Sequence, residues 1–136
     1  MARKHRMFEL EDVFAELHAR ACDRLGEAFY VDLRLGDPEE FPARRNMAYT
    51  VKDRRGDMCI VVAPKLLLCE DIGRVEGVLC HEFGHAALWH VGNDGHSERD
   101  ADTMGERLFD APIYYDGEDV QTTALGVRPR PSHLPA

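Results

Sequence analysis

The sequence predicts an α+β fold, with a small mixed sheet packed on an N-terminal helix and on two later helices. Three observations predict it. Apolar residues recur with the 3.6-residue period of a helix over 7–25, 71–91 and 97–109. Residues 29–35 alternate with the two-residue period of a strand. Two short apolar runs, Met47–Val51 and Met58–Ala63, flank a charged segment that contains a glycine.

In the first helix, Phe8, Leu10, Val13, Phe14, Leu17, Ala21 and Leu25 make the apolar face, and Gly26 marks the end. The strand puts Phe29, Val31, Leu33 and Leu35 on one side and Tyr30, Asp32 and Arg34 on the other. Gly36-Asp37-Pro38 stops it and opens a loop over 36–46. Lys52-Asp53-Arg54-Arg55-Gly56-Asp57 reads as the turn of a hairpin, and Pro64 ends its second strand. Residues 65–70 form a short helical or irregular connection. The next helix has Asp71 as N-cap, an apolar face of Ile72, Val75, Val78, Leu79, Phe83 and Ala86, and Gly92 as the residue past its end. A polar turn, Asn93-Asp94-Gly95, leads to the last helix, where Ser97 and Asp100 make a capping-box-like start. Ala101, Met104, Gly105, Leu108 and Phe109 line its inner face. Ile113–Tyr115 and Val120–Thr123 read as short strands, and the proline-rich 127–136 as a disordered tail. The expected organisation is one domain over 1–126 followed by that tail.

Composition narrows the function. A chain of 136 residues fits a single domain. Asp and Glu number 25 against 17 Lys and Arg, for a formal net charge of -8, which argues against a nucleic-acid partner. No apolar run approaches the roughly 18–20 residues of a membrane span. The basic start Met1–Arg6 leads into a stretch broken by Glu9, Glu11, Asp12 and Glu16, unlike the core of a signal peptide. Cys22, Cys59, Cys69 and Cys80 form no C-x-x-C pair, so reduced thiols and a cytoplasmic location are expected, with Cys80 in the core.

The chemistry lies in His81-Glu82-Phe83-Gly84-His85, an H-E-x-x-H pentapeptide inside a helix predicted from periodicity alone. Histidines at i and i+4 stack on one helical face, about 5–6 Å apart at Cβ, so both imidazoles can reach one metal ion. Glu82 projects beside them, placed to hold a water at that ion. The plainer reading is a helix with two solvated histidines and an acid. Gly84, costly in mid-helix, points to close packing or a requirement of the site.

A catalytic zinc site wants a third protein ligand and one open position. The longer H-E-x-x-H-x-x-G-x-x-H pattern fails, because Leu88 and Val91 stand where glycine and histidine are needed. His90 lies about 140° further round the helix than His85. Glu98 and Asp102, at i and i+4 on the next helix, are the better candidates, and the small Ala101 lets that helix come close. Glu98 is the expected ligand. Asp102 is expected to accept a hydrogen bond from the far nitrogen of His81 or His85. The plainer alternative is a solvated acidic helix start. Trp89 either lines the site or packs against the first helix, the second being the commoner outcome.

H-E-F-G-H followed by E-R-D-A-D resembles the gluzincin arrangement and is similar to ImmA/IrrE-type metallopeptidases and small phage zincins, over roughly residues 58–109. That resemblance implies a minimal zincin-like fold and one zinc ion on His81, His85 and Glu98. It also implies Glu82 as general base and a regulatory protein as substrate. A second resemblance, carried by His85-Ala86-Ala87-Leu88-Trp89 and Asp94-Gly95-His96, is to the SprT type, which implies His96 as third ligand. The expected function is therefore a zinc-dependent endopeptidase. A zincin-fold binding or regulatory module with little hydrolysis is the alternative from another class. Tyr114, Tyr115, His90 and His96 are candidates to stabilise the oxyanion or donate a proton. The peptide is expected to pair with a strand edge, either Met58–Ala63 or Met47–Val51.

Overall fold

A computed structural model describes residues 2–41 and 47–109, with side chains from residue 9 onward. The strands expected at 113–115 and 120–123, the tail, Tyr114 and Tyr115 lie outside the described residues. The fold class is α+β, with three helices and a mixed three-stranded sheet among the described residues. Helix α1 spans Ala2–Leu25, α2 Ile72–His90 and α3 Glu98–Phe109. Strand β1 spans Val31–Leu35, β2 Ala48–Lys52 and β3 Met58–Val62.

The local signals act where the sequence places them. Asp71 caps α2 by accepting from the backbone N–H groups of Gly73 (3.0 Å) and Arg74 (3.3 Å). Gly92 ends it with φ +91°, a conformation that costs glycine little. The Gly92 N–H then reaches the Trp89 carbonyl and the Asn93 N–H reaches that of Leu88, at 3.0 and 2.8 Å, which is the Schellman pattern. Ser97 and Asp100 bond reciprocally at 3.0 and 3.1 Å to start α3. The connection after β3 is a 3-10 turn, Pro64–Leu68.

The sheet order is β1-β3-β2, with β3 parallel to β1 and antiparallel to β2. The hairpin expectation is met. The expectation that a peptide pairs with the edge of Met58–Ala63 is corrected, because β3 is bonded on both sides; among the described residues β2 is the edge strand beside α2. The strand expected from Phe29 begins at Val31, and the preceding Phe29 is buried instead in the main core.

Period-two alternation gives the sheet two different faces. Val31, Met58, Ile60 and Val62 face the helices and join Leu17, Leu79 and Phe83 in one core. On the other face Phe41, Val61 and Ala63 form a smaller cluster with Tyr49 and Cys59 against it. Helix α2 is the centre of the molecule, with every residue from Val78 to Phe83 buried. Phe83 is fully buried, with the rings of Phe14, Phe29 and Phe109 at 5.1, 6.4 and 5.8 Å. Truncating such a side chain typically costs about 3–5 kcal/mol. That anchoring fixes the rotation of α2 and hence the direction of the histidines on its other faces.

Among the described residues no helix is long and apolar enough to cross a membrane.

Candidate metal centre

The centre is built where α2 crosses α3, and Gly84 permits the crossing. A methyl group at position 84 would fall on the Ala101 carbonyl oxygen, 2.8 Å from the carbonyl carbon and 3.1 Å from the Gly105 nitrogen. Glycine at 84, alanine at 101 and glycine at 105 therefore let the two backbones touch. This contact brings the first turn of α3 over the histidine face of α2.

There, His81 Nε2 lies 2.9 Å and His85 Nε2 3.2 Å from the same oxygen, Oε1 of Glu98. The two rings are edge to face, with centroids 4.8 Å apart. One donor atom from each of His81, His85 and Glu98 lies within 4.8 Å of the others, so this group could hold a metal ion. Two imidazoles and a carboxylate suit a first-row divalent ion.

Each histidine has a partner at its far nitrogen. Asp102 Oδ1 stands 3.7 Å from His81 Nδ1. His96 Nε2 stands 2.7 Å from His85 Nδ1, and His96 Nδ1 is in turn 2.8 Å from the Asn93 carbonyl oxygen. Of the two sites open to Asp102, the structure places it at His81. His96 is placed behind His85, outside the three-donor group, rather than at the third-ligand position the SprT resemblance implies.

The electrostatics follow from this crowding. Burial works against a charge on His81, which is 1 % exposed, but the carboxylates of Asp102 and Glu98, with Glu82 nearby, outweigh it and raise its pKa to about 9. The hydrogen bond from His81, followed by that from His85, holds the Glu98 carboxyl far below the carboxylate range. Three carboxylates and two imidazoles in so small a volume make a site that favours a cation.

Glu82 is buried at 7 % exposure. The Thr50 hydroxyl, on edge strand β2, lies 2.6 Å from its Oε1. Sequence reasoning missed Thr50. Its only local signal is its place on the helix-facing side of β2, between Ala48 and Lys52. Lys52, on the same face, pairs with Asp94 at 2.9 Å and lies over the Trp89 ring, 5.5 Å from its centroid. That ring is 6.4 Å from His85 and 5.6 Å from His96, so Trp89 flanks the centre. His90 turns away and meets Phe29 edge-on at 5.3 Å. Cys80 also points away from the centre, and burial pushes its thiol up to about 12.

Compared with known proteins, the chain matches no family model, no curated protein and no solved structure.

Proposed function

We propose that this protein is a zinc-dependent endopeptidase. The observation that carries the reading is the convergence of His81 Nε2, His85 Nε2 and Glu98 Oε1 from two helices, with a buried carboxylate, Glu82, one residue after the first ligand. His81, His85 and Glu98 would hold one zinc ion per chain. When bound, zinc supplies Lewis acidity, polarising a carbonyl oxygen and making a water easier to deprotonate. Glu82 takes the proton of the attacking water at its carboxylate and delivers it to the leaving amine. Thr50 orients that carboxylate through its hydroxyl. Among the described residues the outer edge of β2 pairs with no other strand, and its backbone hydrogen-bonding groups suit an extended peptide, which supports a peptide or protein substrate. A regulatory protein, processed in the cytoplasm, is the substrate class that the motif resemblance favours.

The test is elemental analysis paired with hydrolysis of a fluorogenic peptide library. Wild type is expected to carry near-stoichiometric zinc and to cleave. Glu82→Gln should keep the zinc and lose about 10²–10⁴-fold in rate. A wild-type protein that binds no zinc overturns the proposal, and undiminished cleavage by Glu82→Gln overturns the role of Glu82.

A further inference from the structure

The loop between α2 and α3 does more than connect them. Its Schellman turn directs the Asn93 carbonyl oxygen to His96 Nδ1, 2.8 Å away. A carbonyl oxygen can only accept, so His96 Nδ1 carries the proton. In a neutral imidazole the other nitrogen, Nε2, then presents a lone pair. That lone pair faces His85 Nδ1 at 2.7 Å, so His85 Nδ1 must donate. With Nδ1–H committed to His96, Nε2 is the His85 nitrogen that faces His81 and Glu98; it donates to Glu98 Oε1 at 3.2 Å while protonated and presents a lone pair there once that proton is released. The polarity of the chain is thus set at one end by a backbone carbonyl.

We infer that His96 is a positioning residue for the metal centre: held by the Asn93 carbonyl, it accepts the Nδ1–H of His85 and locks that ligand in its metal-binding tautomer. The inference rests on the metallopeptidase reading for its purpose, though not for its geometry. The two histidine ligands are therefore backed differently. His81 has a carboxylate behind it, and His85 an imidazole seated beside the Trp89 ring. A carboxylate partner raises ligand basicity more than an imidazole does, which makes His85 the weaker donor of the pair. The same loop carries Asp94, bonded to Lys52 at the end of β2. The segment that orients His85 is thus also tied to β2, the strand proposed to receive a peptide.

Long-range proton–nitrogen NMR on the metal-free chain reads the polarity directly. In wild type, His85 Nδ1 should resonate as a protonated nitrogen and His96 Nε2 as an acceptor. His96→Gln, whose amide oxygen can still accept, should preserve the His85 signal, whereas His96→Ala should lose the fixed tautomer. Chelator competition should show zinc binding about 10–100-fold weaker in His96→Ala, with most of the loss recovered in His96→Gln. Circular dichroism on each variant checks that the fold is kept. A proton found on His96 Nε2 and pointing at His85 would reverse the chain and overturn the inference. Unchanged zinc affinity in His96→Ala would overturn it too. Should wild type bind no zinc, the metallopeptidase reading falls, while the nitrogen shifts still decide the tautomer lock.

Discussion

Glu40 and Glu98 are both exposed to several hydrogen-bonding partners, yet they sit in centres of opposite kind. Around Glu40, Oε1 accepts from the Tyr49 hydroxyl at 2.7 Å and from Arg34 at 3.0 Å. Its Oε2 accepts from the Asp37 N–H at 2.7 Å and from Arg34 at 3.3 Å. A guanidinium and a backbone amide can only donate, and the phenol donates here, so the Glu40 centre is complete as it stands. It pins the 3-10 turn Pro38–Glu40 to β1 and β2. Around Glu98 the partners are imidazole nitrogens, each able to present either a proton or a lone pair. The same Nε2 atoms donate to Glu98 Oε1 while protonated, at 2.9 and 3.2 Å; on giving up those protons they and the Glu98 oxygen become three acceptors turned toward one another. Such a set is satisfied by a cation. A cluster of acids is therefore informative only together with the proton inventory of its partners.

The first way to break this comparison is to remove the open centre's carboxylate. Glu98→Gln should weaken zinc binding by more than about a hundredfold, beyond what loss of an outer partner does, with competition against a chromophoric chelator as the measurement. Zinc retained at wild-type affinity would place Glu98 on a par with Glu40 as a purely structural acid. The second way is to separate the helices that bring the acid to the histidines. Gly84→Ala gains about 1 kcal/mol of helix propensity and loses about 3 kcal/mol to overpacking against the α3 backbone. A net destabilisation of about 2 kcal/mol is expected from urea denaturation, together with weaker zinc binding. A stabilised variant would contradict the close crossing.

The smallest effect belongs to the closed centre. Hydrogen bonding from Arg34, then from the Asp37 amide and Tyr49, lowers the Glu40 pKa from its ordinary 4.5 to about 2. A depressed carboxyl contributes stability that is fully present above 4.5 and is lost as pH falls through about 2. The urea midpoints of wild type and Glu40→Gln should therefore differ at neutral pH and converge over that window. A gap independent of pH would mean that the Glu40 charge contributes nothing.

Much of this was legible in the sequence because the signals are local. Asp71, Gly92 and the Ser97–Asp100 pair set helix ends through bonds that span a few residues. His81 and His85 share a face by helical period alone. Glu98 was reachable because Ala101 announced a close approach three residues on. Two features were not legible, for one reason. Thr50 meets Glu82 across 32 residues, and β3 lies between β1 and β2 rather than at an edge. Both depend on how the hairpin docks beside β1, and that is decided by long-range packing. His96 was seen as a ligand or a donor, but its actual orientation depends on a backbone carbonyl, which carries no side-chain signature.

The crossing at Gly84 also has a consequence for how the chain folds. His81 and Glu98 are separated by only 17 positions, so closing the loop between them costs little configurational entropy. A cation held there would act as a clip on the α2–α3 hairpin, whose contacts are mostly local in sequence. Amides in that hairpin should gain the most protection from hydrogen exchange when zinc is added. Strand β1, whose pairing with β3 spans 27 positions from Val31 to Met58, should gain the least. The molecule would then carry two cooperative units of unequal stability, one answering to metal supply and the other only to burial of its apolar side chains.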